Sequence, residues 1–400
     1  MSAFNLRAVA LTSEPEAKAF LKRYIQPSPY GSNHMAGKSR TFCFLAEKVR
    51  DPATHILKET MLSIGGEVAV HRDTLINSAG TSSVLIIGTA VQLKALAEKL
   101  KLQQFGMKAL SAELLTALAV VSAKTAHVIP YRGGELRFGE RTLVMGILNV
   151  TPDSFSDGGR WSGVERAVEH ALQMEADGAD LIDVGAESTA PGNAPVDQKT
   201  ECERLLPVLE ALAGKLTVPI SVDTYKAATA RAALEAGAAV VNDVWGFQKD
   251  AEMARVVAEY RCPAIIMHNK EEAVYEDYFG EVLAFLRRSI ALAEEAGCSR
   301  EQLIVDPGFG FGKTAEHNLA ITNKLEELQV LGCPVLMAAS RKRTVGAILD
   351  APANERLEGD IAIAVLSAAK GADMVRVHDV KPVVKALKVA DAVLRQGYTC

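Results

Sequence analysis

The feature that most restricts the fold is a series of eight short apolar segments between residues 143 and 378. These segments are continuously apolar rather than alternating, which is the pattern of parallel strands buried on both faces. Amphipathic stretches such as VERAVEHALQMEADGA and KAATARAALEAGAA separate them. Eight strand–helix units that close on themselves predict an α/β fold of the (β/α)8 barrel class. The predicted strands cover residues 143–148, 181–185, 219–223, 239–243, 264–268, 303–307, 334–339 and 374–378.

A recurring joint between helices and strands supports the barrel. It appears in GADLIDV (178–184), GAAVVNDV (237–244) and GADMVRVHDV (371–380). In each copy we expect a helix to end at Gly, which tolerates the left-handed conformation of a helix C-cap. A buried strand follows and ends on polar residues. The repeat is too short and irregular for a solenoid.

Residues 1–130 have a different composition and predict a smaller N-terminal module, α/β or mainly helical, which leaves residues 131–400 for the barrel. We expect a helix over residues 42–64, a strand at 83–89 and a long helix over 91–123. Residues 129–142 form the joint between module and barrel, with a short hairpin over the barrel floor. The sequence does not indicate what the module does.

Composition and charge exclude several classes of protein. The net charge of −5 gives no electrostatic reason to expect nucleic acid as a partner. No apolar run is long enough to span a bilayer, and the N-terminus lacks the apolar core of a signal peptide. The six cysteines are scattered without a CxxC pair, which favours reduced thiols over disulfides or a zinc site. We therefore expect a cytoplasmic protein without nucleic-acid or membrane partners.

Polar residues follow the predicted strands, at the end of the barrel where active sites lie. Carboxylates and amides on separate strands suit a flat ring with N–H donors and ring acceptors. The cationic residues suit a phosphate-type leaving group, and an amide oxygen suits Mg²⁺ shared with phosphates. The strand-end residues are Asn149, Asp183, Glu187, Ser188, Thr189, Asp223, Thr224, Asn242, Asp243, Met267, His268, Asp306, Ser340, Arg341, Lys342, Arg376, His378 and Asp379.

The segment DPGFGFGKT (306–314) lacks the glycine spacing of a phosphate-binding P-loop. Its glycines instead allow Phe309 and Phe311 to pack closely against the face of a ligand. For His268 we expect a hydrogen bond at the barrel mouth rather than a metal contact.

Taken in order, these segments closely resemble one family, the dihydropteroate synthases of folate biosynthesis. The resemblance spans nearly all of residues 140–395 and leaves the N-terminal module outside. It rests on MGILNVTPDSFSDGG (145–159), DVGAESTAPG (183–192), SVDT (221–224), VVNDVWG (240–246), IIMH (265–268), DPGFGFGKT (306–314), SRK (340–342), RLEG (356–359) and GADMVRVHDV (371–380).

The resemblance implies a transferase that condenses 6-hydroxymethyl-7,8-dihydropterin diphosphate with 4-aminobenzoate, and it implies a homodimer. Carried over by position, Asp223, Asn242, Asp306 and Lys342 would bind the pterin, with Met267 and Phe311 flanking its ring. Asn149 would hold Mg²⁺, and together with Thr189, Arg376 and His378 it would address the diphosphate. Loops 150–159 and 186–197 would close over the site, and the aminobenzoate pocket would include Phe155, Pro191, Ser340 and Arg343.

The sequence departs from the family pattern in three places, one of which is a pair of residues. Ala190 stands where the family usually has Arg, Arg343 and Thr344 replace a usual Ser-Phe pair, and Asp360 replaces Thr. We hypothesise that Arg343 takes over an anion contact that Ala190 lacks, with the aminobenzoate carboxylate as its target. Two alternatives stay open at this point: a pterin-binding paralogue without catalysis, and a pterin-dependent methyltransferase.

Overall fold

The computed structural model of the chain describes residues 6–74, 80–122, 126–150, 159–187 and 195–395. The chain divides into two compact units between residues 124 and 125. The prediction from sequence placed this division at residue 130. Among the described residues, no helix is both long enough and apolar enough to cross a lipid bilayer.

The N-terminal unit is a small α/β structure with one antiparallel sheet of order β1-β3-β2. Its core lies between this sheet and helices α3–α5, and includes Leu57, Met61, Leu93 and Leu96. The elements are α1 (Glu14–Tyr24), α2 (Pro29–Ala36), β1 (Thr41–Arg50), α3 (Asp51–Leu62), β2 (Glu67–Ala69), β3 (Thr81–Thr89), α4 (Ala90–Leu100) and α5 (Met107–Ser122).

Two predictions for this unit are wrong in detail. The stretch expected to be one helix over 42–64 begins as strand β1, in which Phe42, Phe44 and Ala46 alternate toward the core. This period of two favours a strand. The long helix expected over 91–123 is two helices, because α4 ends at Leu100 and α5 begins at Met107. Phe105 and Gly106 between them have positive φ angles of 59° and 84°, which do not fit a continuous right-handed helix.

The C-terminal unit is the predicted (β/α)8 barrel. Its eight parallel strands have the order β11-β10-β9-β8-β7-β6-β13-β12. A parallel bridge between Val305 and Val335 closes the ring beside β12. The strands are β6 (Leu143–Asn149), β7 (Leu181–Gly185), β8 (Ile220–Asp223), β9 (Val240–Asp243), β10 (Ala264–Met267), β11 (Leu303–Asp306), β12 (Leu336–Met337) and β13 (Met374–Val377).

Helices cover the outside of the barrel and bury their apolar faces against the strands. In α7, for example, Leu205, Val208, Leu209 and Leu212 are fully buried in this layer. Burial of each such side chain contributes roughly 1.5–3 kcal/mol. The helices are α6 (Gly159–Ala176), α7 (Gln198–Leu212), α8 (Ala227–Glu235), α9 (Met253–Tyr260), α10 (Tyr278–Glu295), α11 (Ala315–Asn323), α12 (Arg343–Leu349), α13 (Leu357–Ala369) and α14 (Val380–Leu394).

The predicted joints are present. Gly178, Gly237 and Gly371 have φ angles of 102°, 114° and 95°, a region that L-residues rarely adopt. Each allows the chain to leave a helix and enter the next buried strand.

A hairpin closes the floor of the barrel, as predicted. It pairs β4 (Val128–Tyr131) with β5 (Gly134–Arg137). Ile129, Leu136 and Phe138 pack with the first residues of the barrel strands, including Leu143 and Leu181. This end is therefore filled with apolar side chains, which leaves the opposite end for a ligand.

Candidate active site

A cavity of about 1090 Å³ opens at the carboxyl ends of the barrel strands. It gathers the predicted site residues that belong to the described part of the chain. They are Asn149, Asp223, Asn242, Met267, Asp306, Phe311, Ser340, Lys342, Arg343, Arg376 and His378. Phe155, Thr189, Pro191 and most of loops 150–159 and 186–197 lie outside the described residues. The described site residues come from separate strands and line one cavity at the barrel mouth, as expected.

Arg376 connects two carboxylates across this mouth. Its Nε donates to Asp183 at 2.6 Å, and one terminal nitrogen donates to Asp223 at 2.7 Å. The Asn242 amide donates to the same Asp183 oxygen at 3.0 Å. Burial raises the pKa of Asp223 to about 7 against the lowering effect of Arg376, and Asp183 raises it further. Burial alone would lower the pKa of Arg376, but the two carboxylates outweigh it and raise the value.

One oxygen of Asp223 is buried without a partner in the described part of the chain. Its Oδ1 atom is buried and has no hydrogen-bond partner among the described residues. Because a buried, unsatisfied carboxylate oxygen costs free energy, it favours a ligand that donates an N–H group. The other oxygen is held by Arg376, so the carboxylate is fixed in orientation before a ligand arrives.

Asp306 and Lys342 form the second polar wall. Asp306 accepts from the Gly308 N–H at 2.6 Å, and Lys342 donates to the Phe309 carbonyl. Burial raises the pKa of Asp306, although the nearby Lys342 opposes the change. Burial likewise lowers the pKa of Lys342 to about 8, against the effect of Asp306. The wall thus offers a carboxylate acceptor, Asp306, and an ammonium donor, Lys342, and their opposite charges partly neutralise each other.

Apolar side chains line the space between these polar groups. Met267 and Phe311 pack together with Val244 beside the cavity. The Lys342 ammonium lies 4.6 Å from the centre of the Phe311 ring, within the range of a cation–π contact. This arrangement provides an apolar face for a flat ring and leaves polar contacts for its edge.

The loop after β11 approaches the neighbouring loop so closely that only glycine fits. A Cβ at Gly308 would lie 1.9 Å from the His268 carbonyl oxygen, and one at Gly312 would lie 2.1 Å from that of Lys270. Both residues also have positive φ angles, 72° and 53°. The glycines of DPGFGFGKT therefore allow close backbone contact here, and they bring Phe311 to the cavity.

The expected hydrogen bond of His268 is present, and its partner is a residue that sequence reasoning missed. The Lys313 ammonium lies 2.7 Å from His268 Nδ1 and donates to the Phe311 carbonyl at 3.1 Å. Burial lowers the pKa of Lys313 to about 7, and burial with the Lys313 charge lowers that of His268 to about 3. In the sequence, this partner was indicated by the lysine in the glycine-rich segment DPGFGFGKT.

A second feature that the sequence did not predict is an ion-pair cluster beside the end of β7. Lys226 bridges Glu187 and Glu201, donating to Glu201 at 2.7 Å. The Tyr225 hydroxyl donates to Glu187 at 3.1 Å. Because Glu187 lines the cavity and Glu201 lies on α7, this cluster fixes the start of the loop that follows β7. The two carboxylates raise the pKa of Lys226 despite its burial.

Ser340 and His378 form the side of the cavity next to α12. The Ser340 hydroxyl donates to Asp360 at 2.9 Å, and His378 Nδ1 lies 3.1 Å from the same hydroxyl oxygen. Burial and the charges of Arg341 and Arg376 lower the pKa of His378 to about 4. The departure Asp360 is thus buried against the site, and Arg343 lines the cavity. Ala190 lies outside the described residues.

Asn149 is the predicted metal ligand and stands at the end of β6, on the cavity wall. Among the described residues, no group of three or more His, Cys, Asp or Glu side chains is arranged to hold a metal ion. Mg²⁺ commonly takes few protein ligands and completes its shell with phosphate oxygens and water. A single neutral amide oxygen therefore fits Mg²⁺ that is bound mainly by a phosphorylated ligand.

The fold and the cavity define a barrel enzyme that combines an apolar slot, a hydrogen-bonding edge and a cationic side. Comparison with known proteins gives the family. The model of the family described as "Pterin binding enzyme" matches residues 145–378, and the chain belongs to this family.

Named relatives agree with this assignment. The chain is 49% identical over 271 residues to a dihydropteroate synthase of Bacillus subtilis, which covers 68% of this chain and 95% of the relative. It is 42% identical over 372 residues to a probable bifunctional folylpolyglutamate synthase/dihydropteroate synthase of Halobacterium salinarum. That match covers 91% of this chain, so it extends into the N-terminal unit, and 44% of the relative.

A solved structure shows the same barrel. It is the dihydropteroate synthase of Xanthomonas albilineans with 4-aminobenzoic acid, which is 43% identical with a TM-score of 0.65. The match covers 67% of this chain and 98% of that structure.

Proposed function

We propose that the chain catalyses the dihydropteroate synthase reaction. It condenses 6-hydroxymethyl-7,8-dihydropterin diphosphate with 4-aminobenzoate and releases 7,8-dihydropteroate and diphosphate. The observation that carries this proposal is the convergence of Asp223, Asn242, Asp306, Lys342 and Arg376 on one cavity. The family assignment and the named relatives favour the synthase over a pterin-dependent methyltransferase.

The pterin binds with its edge on the polar walls and its faces against apolar side chains. The unpartnered Oδ1 of Asp223 accepts an N–H of the ring, and Asn242 and Asp306 supply further amide and carboxylate contacts. Lys342 donates to a ring acceptor. Met267 and Phe311 flank the ring, which matches the apolar slot between the polar groups.

The diphosphate lies on the cationic side, beside Arg376 and His378. Thr189 is also assigned to it by the family pattern and lies outside the described residues. Asn149 would hold Mg²⁺, which neutralises charge on the diphosphate when bound. Arg376 is already oriented by Asp183 and Asp223, so little reorganisation accompanies its contact with the anion.

The reaction needs no covalent enzyme intermediate. The C–O bond to diphosphate breaks first or ahead of attack, with its electron pair leaving on oxygen, and leaves a cation stabilised by the pterin. The amine nitrogen of aminobenzoate then bonds to the methylene carbon and releases one proton to diphosphate or solvent. Asp223 and Asp306 stabilise the electron-poor pterin, while Arg376 stabilises the growing charge on diphosphate. Removal of one such contact typically costs about 2.7–4 kcal/mol of barrier.

Aminobenzoate binds next to the start of α12. Arg343 is exposed and lines the same cavity as Ser340, which supports a contact between its guanidinium and the aminobenzoate carboxylate. Phe155 and Pro191 are assigned to the wall of the same pocket and lie outside the described residues.

We also propose a homodimer through the last barrel helices. Leu366 on α13 and Val389 and Val393 on α14 are 55%, 68% and 72% exposed. A second copy of the chain would cover these side chains. Sedimentation of the Val389→Asp, Val393→Asp variant should show monomers where the parent chain shows dimers, and identical sedimentation would reject this interface.

The function is tested by incubating the chain with both substrates and Mg²⁺ and following dihydropteroate by chromatography. Binding of the pterin diphosphate is measured in parallel by calorimetry. Product formation supports the synthase. Pterin binding without product would instead identify a non-catalytic pterin-binding protein, and methyl transfer from methyl-tetrahydrofolate would identify the methyltransferase.

A further inference from the structure

A hydrogen-bond chain connects a carboxylate on helix α13 with the imidazole at the cavity wall. Asp360 Oδ2 accepts the Ser340 hydroxyl at 2.9 Å. The Ser340 oxygen lies 3.1 Å from His378 Nδ1 and accepts the backbone N–H of His378 at 3.3 Å. Asp360 is 4% exposed and Ser340 is 7% exposed, so water does not compete strongly for these groups.

The hydrogens in this chain can be counted. A serine hydroxyl has one hydrogen to donate and two lone pairs that accept. The hydrogen of Ser340 goes to Asp360, and one lone pair accepts the His378 backbone N–H. The remaining contact, to His378 Nδ1, requires a hydrogen from the histidine, because Ser340 has none left to give.

Asp360 is itself oriented by the backbone. The N–H of Arg341 donates to both carboxylate oxygens, at 3.0 Å and 2.9 Å. Arg341 adopts a positive φ of 57°, and its guanidinium is held by Asp379 at 2.9 Å. The carboxylate therefore faces two donors, which favours its role as an acceptor toward Ser340.

From this geometry we propose that Asp360 is a positioning residue which, through Ser340, fixes His378 with its proton on Nδ1. The carboxylate stands where the resemblance described above implies Thr. A Thr hydroxyl both donates and accepts, so it does not impose a direction on the chain. A carboxylate only accepts, so the hydrogen bonds run from His378 through Ser340 to Asp360.

The charged groups around His378 agree with this state. Arg341, Arg376 and Lys342 lower the pKa of the imidazole together with its burial, and Asp379 opposes them in part. The neutral form therefore dominates near pH 7, and a neutral imidazole carries one proton on one nitrogen only. The direction of the chain assigns that proton to Nδ1.

The consequence rests on the proposed function. Nδ1 is occupied by Ser340, so Nε2 is the ring nitrogen that remains for the diphosphate. As an acceptor, neutral Nε2 favours a phosphate oxygen that carries a proton, and a protonated His378 would donate from the same atom. Proton exchange between His378 and the diphosphate thus takes place at one defined nitrogen.

The test is the ¹⁵N NMR spectrum of the full chain with ¹⁵N-labelled histidine, recorded without substrate near pH 7. The His378 signals are identified by their loss in His378→Gln. The expected result is a protonated Nδ1 and an unprotonated Nε2. A protonated Nε2 with unprotonated Nδ1 would mean that the chain runs in the opposite direction, and the proposal would be wrong.

Three variants separate the positioning role from a general effect on folding. Asp360→Thr, the usual family residue, and Ser340→Ala should both move His378 toward the Nε2–H form. Asp379→Asn removes a carboxylate next to His378 that has no bond to Ser340, and it should leave the tautomer unchanged. An unchanged tautomer in Asp360→Thr would reject the proposal. Because no substrate is used, failure of the proposed enzyme activity would not alter these outcomes.

Discussion

Arg376 donates to Asp223 at 2.7 Å across the barrel mouth, although strands β7 and β6 lie between their strands. Because the same guanidinium also binds Asp183, the Asp223 carboxylate is held in place, and its other oxygen has no partner among the residues that the structure describes. We propose that the pairing preforms an acceptor for the pterin and does not only stabilise the barrel. Breaking a buried ion pair usually destabilises a protein, so activity and stability must be measured separately.

Asp223→Asn should reduce kcat/KM for the pterin diphosphate about 10- to 100-fold, because one carboxylate oxygen becomes an NH2 donor, which cannot accept from either Arg376 or the ring N–H. Stability should change little, since Arg376 retains Asp183 and the burial of one carboxylate charge is relieved. Kinetics and urea unfolding are measured together. Glu259→Gln, which breaks the exposed pair with Arg231, serves as the control and should affect neither. If the loss of kcat/KM in Asp223→Asn were matched by an equal loss in the free energy of unfolding, this would contradict a binding role for Asp223.

Gly308→Ala should lower the free energy of unfolding by more than Gly214→Ala. Both glycines have similar φ angles, 72° and 73°, so both variants carry the cost of about 1–2 kcal/mol for a left-handed alanine. At Gly308 the added Cβ meets the backbone oxygen of His268, whereas at Gly214 no atom of the described residues lies within 4 Å. Urea unfolding of both variants measures the difference. Equal destabilisation would show that the loop relaxes without cost.

The barrel could be predicted from sequence because its strands are buried on both faces and therefore read as continuous apolar runs. β1 was misassigned because its alternation of Phe42, Phe44 and Ala46 lies next to a helical pattern that continues into α3. The local pattern alone does not mark where the strand ends, and pairing with β3 decides it.

The members of the site could be predicted, but not their partners. Strand ends predict that Asp183, Asp223 and Arg376 share one mouth, since parallel strands present their carboxyl ends together. Which oxygen each guanidinium nitrogen reaches depends on side-chain geometry across several strands. Asp360 shows the same limit: the sequence marks it as a departure, and only the fold brings α13 beside Ser340.

Acid should destabilise the barrel through His268. Its pKa is about 3 in the folded chain and about 6.5 when unfolded, so between these values only the unfolded state binds the proton. Stability is therefore complete above pH 6.5 and falls as the pH drops, by about 1–2 kcal/mol at pH 5. His268→Gln should remove this part of the pH dependence, measured by urea unfolding from pH 7.5 to 5. Replacement of the exposed His170 by Gln should not. If the free energy of unfolding of the parent chain and of His268→Gln fell equally with pH, His268 would not be the source of this pH dependence.

Arg343→Ser should raise the KM for 4-aminobenzoate about tenfold and leave kcat and the KM for the pterin diphosphate nearly unchanged. Arg343 lines the cavity, and within the described part of the chain its side chain makes no hydrogen bond or ion pair. Its guanidinium is therefore available for a carboxylate, and a hydrogen bond to a charged group contributes about 1.5 kcal/mol or more.

Steady-state kinetics with each substrate varied in turn measures this effect. Arg343→Lys keeps the charge but loses the paired N–H geometry, so its KM for aminobenzoate should lie between those of the parent chain and Arg343→Ser. If both Michaelis constants stay unchanged in Arg343→Ser, this side chain points to solvent during catalysis. Arg343 then does not supply the anion contact expected from the Arg that the family pattern has in place of Ala190.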